Sequence, residues 1–230
     1  MSHYPRIAKV RQRRGLLLYF SFMSASPKST GKAGAPRIVA RATLPTRFGR
    51  FTIYGVRGRH AQEEVVALVR GRITPRSTPI VRVHSQCLTG DVLTSLRCDC
   101  RAQLELALRQ IARARCGVFL YLPQEGRGIG LMNKLRAYEL QDRGMDTVEA
   151  NKRLGFAADA RDYRFSAQVL RLLGVTRARL LSNNPDKVEQ LERFGVRVVK
   201  RIPCQPRVPR VARSYLRTKK SKMGHLLDGI

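Results

Sequence analysis

Three of the five cysteines in this 230-residue chain, Cys87, Cys98 and Cys100, fall within one stretch, and their spacing is its strongest chemical signal. One residue separates Cys98 from Cys100, so a tight turn can aim both sulfurs at one point. Ten residues separate Cys87 from Cys98, a span that one loop can fold back across. Three thiolates suit a soft or borderline cation such as zinc in a tetrahedral site. No fourth protein ligand stands out, because Cys116 opens an apolar run and Cys204 sits in a Pro-rich segment. Three ligands with one position left over describe a catalytic zinc, whose bound water ionises near a pKa of about 7 instead of ~15.7. The bland reading is three buried small hydrophobes; the Thr, Asp, Arg and Gly around them weigh against it. A C-x-C disulfide is strained, and three cysteines leave one over.

A second cluster is the turn Glu125-Gly-Arg-Gly-Ile-Gly130. It follows the continuous apolar run Gly117–Leu122, which reads as a buried strand, and precedes a helix from Leu131 to about Arg143. Backbone amides at such a turn, backed by a helix N-terminus, favour anions, and Arg127 adds a bidentate donor. It is not a P-loop, since no Gly-Lys-Ser/Thr follows at the required spacing.

The elements that must position these groups alternate. Strands are expected around Phe51–Val56, Glu64–Val69, Ile80–Val83, Gly117–Leu122, Val175–Leu181 and Val196–Ile202. Helices are expected over Arg101–Arg115, with Leu104, Ala107, Leu108, Ile111 and Ala112 on one face, over Tyr163–Leu173 and over Asp186–Phe194. This alternation indicates an α/β domain, a mixed sheet with flanking helices, beginning near Leu44.

The formal net charge of +29 is unevenly distributed. No acidic residue precedes Glu63, and Asp228 is the sole one after Lys200. Three regions follow: a basic extension at 1–40, expected to be disordered, a catalytic domain at 41–203, and a basic tail at 204–230. Such charge attracts polyanions, whether nucleic acid, acidic membrane or a phosphorylated small molecule. The run Leu16–Phe20 after several arginines resembles a weak transit peptide, or an over-long start before Met23, and is set aside from fold reasoning. No run of 18 apolar residues exists, so no spanning helix is expected. Unpatterned cysteines among many Arg and Lys point to a reducing, cytoplasmic setting.

Taken as a set, the motifs resemble one family. They are His84-Ser-Gln-Cys87-Leu-Thr-Gly-Asp91, Leu96-Arg-Cys98-Asp-Cys100, Gln124-Glu-Gly-Arg127 and Asn133-Lys-Leu-Arg136-Ala-Tyr138. Further matches are Asp146-Thr147-Val-Glu-Ala-Asn151, Leu154 to Tyr163 and Asn183-Asn-Pro-Asp-Lys187, with a weaker one at Lys222-Met-Gly-His225. In this order they are similar to GTP cyclohydrolase II of riboflavin biosynthesis. The resemblance implies Zn²⁺ on Cys87, Cys98 and Cys100 and an activated water that attacks C8 of the guanine ring. It further implies release of formate and pyrophosphate, giving 2,5-diamino-6-(5-phosphoribosylamino)pyrimidin-4(3H)-one.

By the same resemblance Tyr138 assists proton transfer or orients the ring, and Asp159 is the proton acceptor. Arg161 would attack the α-phosphate; a protonated guanidinium is a poor nucleophile, so electrostatic support of the phosphate is the alternative reading. GTP contacts carry over to Arg82, Val83, His84, Ser85, Gln86, Gln103, Glu125, Gly126, Arg127, Thr147, Ser182 and Lys187, with Mg²⁺ bridging the triphosphate. A homodimer is implied as well. Departures from the family pattern are Gln86 for Glu, Arg101 for Gly, Ser182 for Thr, and a tail without the usual Asn-rich sequence. No dihydroxybutanone-phosphate synthase domain is expected ahead of this one.

Two other functions compete. One is a paralogue that stops at a formylated intermediate or takes another purine nucleotide. The other is a nucleic-acid-binding module with a structural zinc, favoured by the basic ends but opposed by their lack of aromatic stacking motifs.

Overall fold

The computed structural model describes residues 35–60, 63–157, 159, 161–207 and 212–229. The run at Leu16–Phe20 lies outside them. A seven-stranded mixed sheet organises the chain, in the order β1-β2-β3-β5-β4-β6-β7. β1 (Arg37–Thr46), β2 (Gly49–Arg57) and β3 (Glu64–Arg70) form an antiparallel meander that pairs with β5 (Gly117–Leu122). β5, β4 (Ile80–Ser85), β6 (Arg177–Leu181) and β7 (Arg197–Ile202) run parallel. The expected α/β class is therefore the observed one.

Alternation along the strands splits the core into two layers. On β5, Val118, Leu120 and Leu122 face one layer and Phe119 the other. The first layer packs Tyr163, Ala167, Val169 and Leu170, from or beside α4 (Arg164–Leu172), with Leu191 of α5 (Pro185–Arg193). The second packs Ala107, Leu108 and Ile111 of α1 (Cys100–Arg113) on Phe51, Phe119 and Leu181. Fully burying each such side chain stabilises the fold by roughly 1.5–3 kcal/mol before entropy is counted. α1 carries the chain from β4 to β5 on one face, and α4 returns it to β6 on the other side of β4. Ligands of open α/β sheets gather at such a switch point, outside the strands' carboxyl ends.

Three elements differ from expectation. β1 was not expected at all: a strand begins at Arg37, where order was expected only from near Leu44, and pairs through a tight hairpin to β2. A short helix α3 (Thr147–Arg153) follows α2 (Leu131–Asp142), started by a reciprocal cap. Asp146 accepts from the Val148 and Glu149 amides while Glu149 accepts from the Asp146 amide. Finally, the segment read as a basic tail contains α6 (Arg213–Met223), ended by Gly224 in the left-handed region. Among the described residues, no helix is long and apolar enough to cross a membrane.

Candidate metal and nucleotide site

The turns leaving β4, β5 and β6 converge on one cleft, which encloses about 1070 Å³ of empty space with its open mouth included. After β4 the backbone closes a single wide turn over Leu88–Val92, and this brings Cys87 back against Cys98 and Cys100. The three sulfurs lie within 4.8 Å of one another, Cys87 to Cys98 at 3.8 Å. Two sulfurs of a tetrahedral zinc with bonds of about 2.3 Å stand ~3.8 Å apart, so the donor set fits the metal. Gly90 completes the cradle: a Cβ there would fall 2.8 Å from the Cys98 sulfur and 3.1 Å from that of Cys87. Only glycine leaves that space open.

Charge flows toward Cys87. Hydrogen bonds from Cys100 and Cys98, and the Lys134 ammonium, hold its thiol well below the ordinary range. Cys100 is pushed up by Cys87, by Cys98 and by burial. Lys134 donates to the Cys87 sulfur at 3.1 Å and to Glu125 at 2.7 Å. Glu125 also accepts from the Leu88 amide at 2.6 Å, fastening the cysteine turn to the turn after β5.

A second brace lies beneath. Buried His84 stacks on Phe119 and Tyr121 and bonds Asp91 at 3.1 Å. Asp91 in turn accepts from the Cys87 amide and the Tyr121 hydroxyl, each at 3.0 Å. Burial keeps His84 below its ordinary pKa despite that carboxylate. Arg101, the departure after the cysteine pair, donates to the Asp91 carbonyl at 2.6 Å and to Glu105 at 2.7 Å. It straps the cysteine turn to α1.

The anion side is cationic. Arg127 stands in the turn Glu125–Gly128 with a left-handed φ of 64°, a conformation rare outside glycine and typical of functional turns. Buried Lys187 donates to the Val83 carbonyl at 2.8 Å, and burial, then Arg82 and Arg161, press its pKa well down. Arg161 is clamped by Asp159 through two hydrogen bonds, one of them 2.8 Å. Burial would raise the Asp159 pKa, but the Arg161 guanidinium outweighs it and holds the carboxyl below its usual range.

The cleft thus gathers Arg82, His84, Ser85, Gln86, Gln103, Glu125, Gly126, Arg127, Tyr138, Thr147, Arg161, Ser182, Lys187 and the three cysteines. Two expected residues stand apart. Val83 is fully buried in the sheet core, and only its carbonyl serves the site, through Lys187. Asp159 reaches the cleft through Arg161. Tyr138 bonds Thr89 at 3.1 Å, and burial raises its pKa, so it carries its proton at neutral pH.

Several lining residues were not assigned roles from sequence: Lys134, Asn151, Tyr215, Lys219 and His225. Lys134 had a signal, standing four residues before Tyr138 on one face of α2. Lys219 of α6 bonds Asp99 at 3.0 Å, between two of the cysteines. Gln103 links that carboxylate to Arg82. Lys222 pairs with Asp146 and, at 2.9 Å, with Glu149, tying α6 to α3.

A three-sulfur turn beside a cationic cleft, at the switch point of a mixed α/β sheet, is a geometry suited to holding a soft cation next to an anionic ligand. The family model for GTP cyclohydrolase II matches residues 37–203. The chain belongs to the GTP cyclohydrolase II family. Its relatives include a GTP cyclohydrolase-2 of Pseudomonas paraeruginosa, 53% identical over 192 residues, covering 84% of this chain and 94% of that one. A GTP cyclohydrolase-2 of Histophilus somni is 51% identical, covering 83% and 88%. Riboflavin biosynthesis protein RibBA of Bacillus cytotoxicus is 52% identical over 81% of this chain, which spans 47% of that longer protein.

Proposed function

We propose that the chain opens the imidazole ring of GTP, the first step of riboflavin biosynthesis, releasing formate and pyrophosphate. The observation that carries this reading is the junction of the three-sulfur cluster with the cationic cleft in one cavity. Cys87, Cys98 and Cys100 would hold Zn²⁺, which when bound supplies the Lewis acidity that makes water a nucleophile at neutral pH.

The chain's own residues do the rest. Glu125 orients guanine through its N1 and N2 donors, as a carboxylate can. Three of its roughly four acceptor positions are already filled, by Lys134, Gly126 and Leu88. A base therefore docks by sharing Glu125 with Lys134 or by displacing it. Protonated Tyr138 delivers a proton to a ring nitrogen as the C8–N bond breaks. Arg127, Arg161 and Lys187 hold the triphosphate, whose charge a bound Mg²⁺ would further neutralise. Burial is the main cause of the low Lys187 pKa, and each new phosphate oxygen offsets the repulsion from Arg82 and Arg161 that adds to it.

Asp159 acts through Arg161. With its charge committed to the guanidinium it is a weak proton acceptor at neutral pH, and holding Arg161 in place is the role its geometry supports. The protonated Arg161 likewise supports electrostatic stabilisation over nucleophilic attack. A cytoplasmic homodimer is the assembly expected from the family resemblance.

Turnover of GTP by the full chain, read as formate, pyrophosphate and product mass alongside metal content, tests the reading. Wild type should release one formate per pyrophosphate, and Cys98→Ser should lose both metal and ring opening. A product that retains the formyl group would point to the arrested paralogue instead. No reaction from zinc-loaded wild type defeats the proposal.

A further inference from the structure

One group in the cleft has no part in the chemistry above. His225 follows α6 and is pinned by its backbone: its amide donates to the Lys219 carbonyl at 3.1 Å. The next amide, of Leu226, donates to the Asn183 carbonyl at 2.9 Å. The half-buried imidazole lines the cleft, and its buried Nε2 has no hydrogen-bond partner among the described residues. Buried polar atoms are almost always satisfied, so an unsatisfied one on a residue that lines a cleft points to a ligand that completes the bonding with a small turn of the ring.

Its surroundings say what kind of ligand. Four cations from four parts of the fold act on the ring: Lys219 of α6, Arg161 before α4, Arg127 of the turn after β5, and Lys187 of α5. Burial first, and then these charges, keep the imidazole neutral. A neutral ring presents Nε2 either as a lone pair or as an N–H. The lone pair would draw a donated hydrogen bond from a neighbouring ammonium or guanidinium, and none is made to it. The N–H form needs an acceptor, and an acceptor drawn among four cations is an anionic oxygen.

We propose that His225 is a substrate-binding residue whose Nε2–H donates to a phosphate oxygen of the bound nucleoside triphosphate. This rests on the GTP reading above. The C-terminal segment then closes the anion site that the strand-end turns begin.

The test separates the two ends of the substrate. Affinities of inorganic triphosphate and of guanosine are measured by calorimetry for the full zinc-loaded chain, as wild type, His225→Ala and His225→Gln. Triphosphate binding should weaken about tenfold in His225→Ala, the usual loss when a neutral donor to a charged acceptor is removed. His225→Gln, whose amide N–H reaches a similar position, should recover most of it. Guanosine affinity should not change. Equal triphosphate affinity in wild type and His225→Ala overturns the inference while GTP turnover by wild type still stands. Parallel loss of guanosine and triphosphate overturns it too, by showing a structural role. Wild type that binds triphosphate but never turns over GTP refutes the parent reading alone.

Discussion

The two walls of the cleft are held by different forces. The wall made by the turns after β4, β5 and β6 is rooted in the sheet, where Val81, Val83, Leu120 and Leu180 are wholly buried. The opposite wall, from α2, α3 and α6, has fewer such anchors: Ala137 of α2, Val148 and Ala150 of α3 and Leu216 of α6. Its connections are charged: Lys134 to Glu125, Lys219 to Asp99, and Lys222 to Asp146 and Glu149. Burial of apolar surface is indifferent to salt and pH, whereas ion pairs weaken with both according to their exposure. The sheet wall therefore fixes where the three sulfurs sit, and the helical wall is held beside them largely by charge.

The largest effect should come from the rooted wall. Gly90→Ala places a methyl 2.8 Å from the Cys98 sulfur, and the loop is too tightly braced by Asp91 and Arg101 to yield. Metal affinity should fall roughly 10–100-fold, the range seen when groups surrounding a metal's ligands are disturbed. The melting temperature of the metal-free protein should fall too, but only by the strain of one crowded methyl, about 1–3 kcal/mol. Zinc titration with a competing chelator, paired with thermal melts, checks both halves. Unchanged metal affinity would mean that the cradle is softer than the sheet beneath it.

This contrast also explains what could be read from sequence. The cysteine turn and the Glu125–Arg127 turn were legible because their groups are close in the chain: two cysteines one residue apart, and a glycine turn between a strand and a helix. The β5 strand and α1 were legible from apolar runs and periodicity, which report burial. The helical wall is written in charge, and charge does not name its partner. Lys219 and Lys222 look like tail solvation because their carboxylates lie 120 and 73–76 residues away. The α3 start was available, since Asp146 with Glu149 three residues on is a capping signature, but the helix is only seven residues long. β1 was missed because its first seven residues are all exposed and show no buried face.

The second effect in size belongs to Lys219. Its pair with Asp99 is buried on both sides, with side-chain exposures of 10% and 2%. Lys219→Met strands a buried carboxylate that Gln103 alone cannot satisfy, a loss of about 3–5 kcal/mol when a buried pair is broken. Burial opposes the ammonium, but Asp99 more than compensates and raises the Lys219 pKa. A raised folded-state pKa gives stability that is full below the unfolded value of about 10.4 and is lost as pH climbs through the folded one. Wild type should thus release α6 only in strong alkali, with proteolysis of the C-terminal segment as the readout, while Lys219→Met is cleaved already at neutral pH. Equal protection of the two chains would show that α6 is held by its apolar contacts, such as Leu216, and the distinction between the walls would fall.

The smallest effect sharpens that distinction. Lys222 bridges Asp146 and Glu149 at the surface, with side-chain exposures of 42%, 24% and 55%. For Asp146, burial raises the pKa, but hydrogen bonds from Lys222 and two backbone amides prevail and lower it. For Glu149 the Asp146 amide is the main cause of the lowering, followed by Lys222. Depressed carboxylate pKa values give stability that is present above the unfolded values of about 4 and lost as pH falls through the folded ones. Lys222→Ala should therefore lower the melting temperature far less than Lys219→Met, and the difference from wild type should shrink at high salt and below pH ~4. The cap itself needs no lysine, since Asp146 and Glu149 satisfy each other's amides. Helix α3 should hence survive the substitution, and what loosens is its grip on α6. A loss as large as that of Lys219→Met, or one indifferent to salt, would mean that the exposed bridge carries the cover and the buried pair does not.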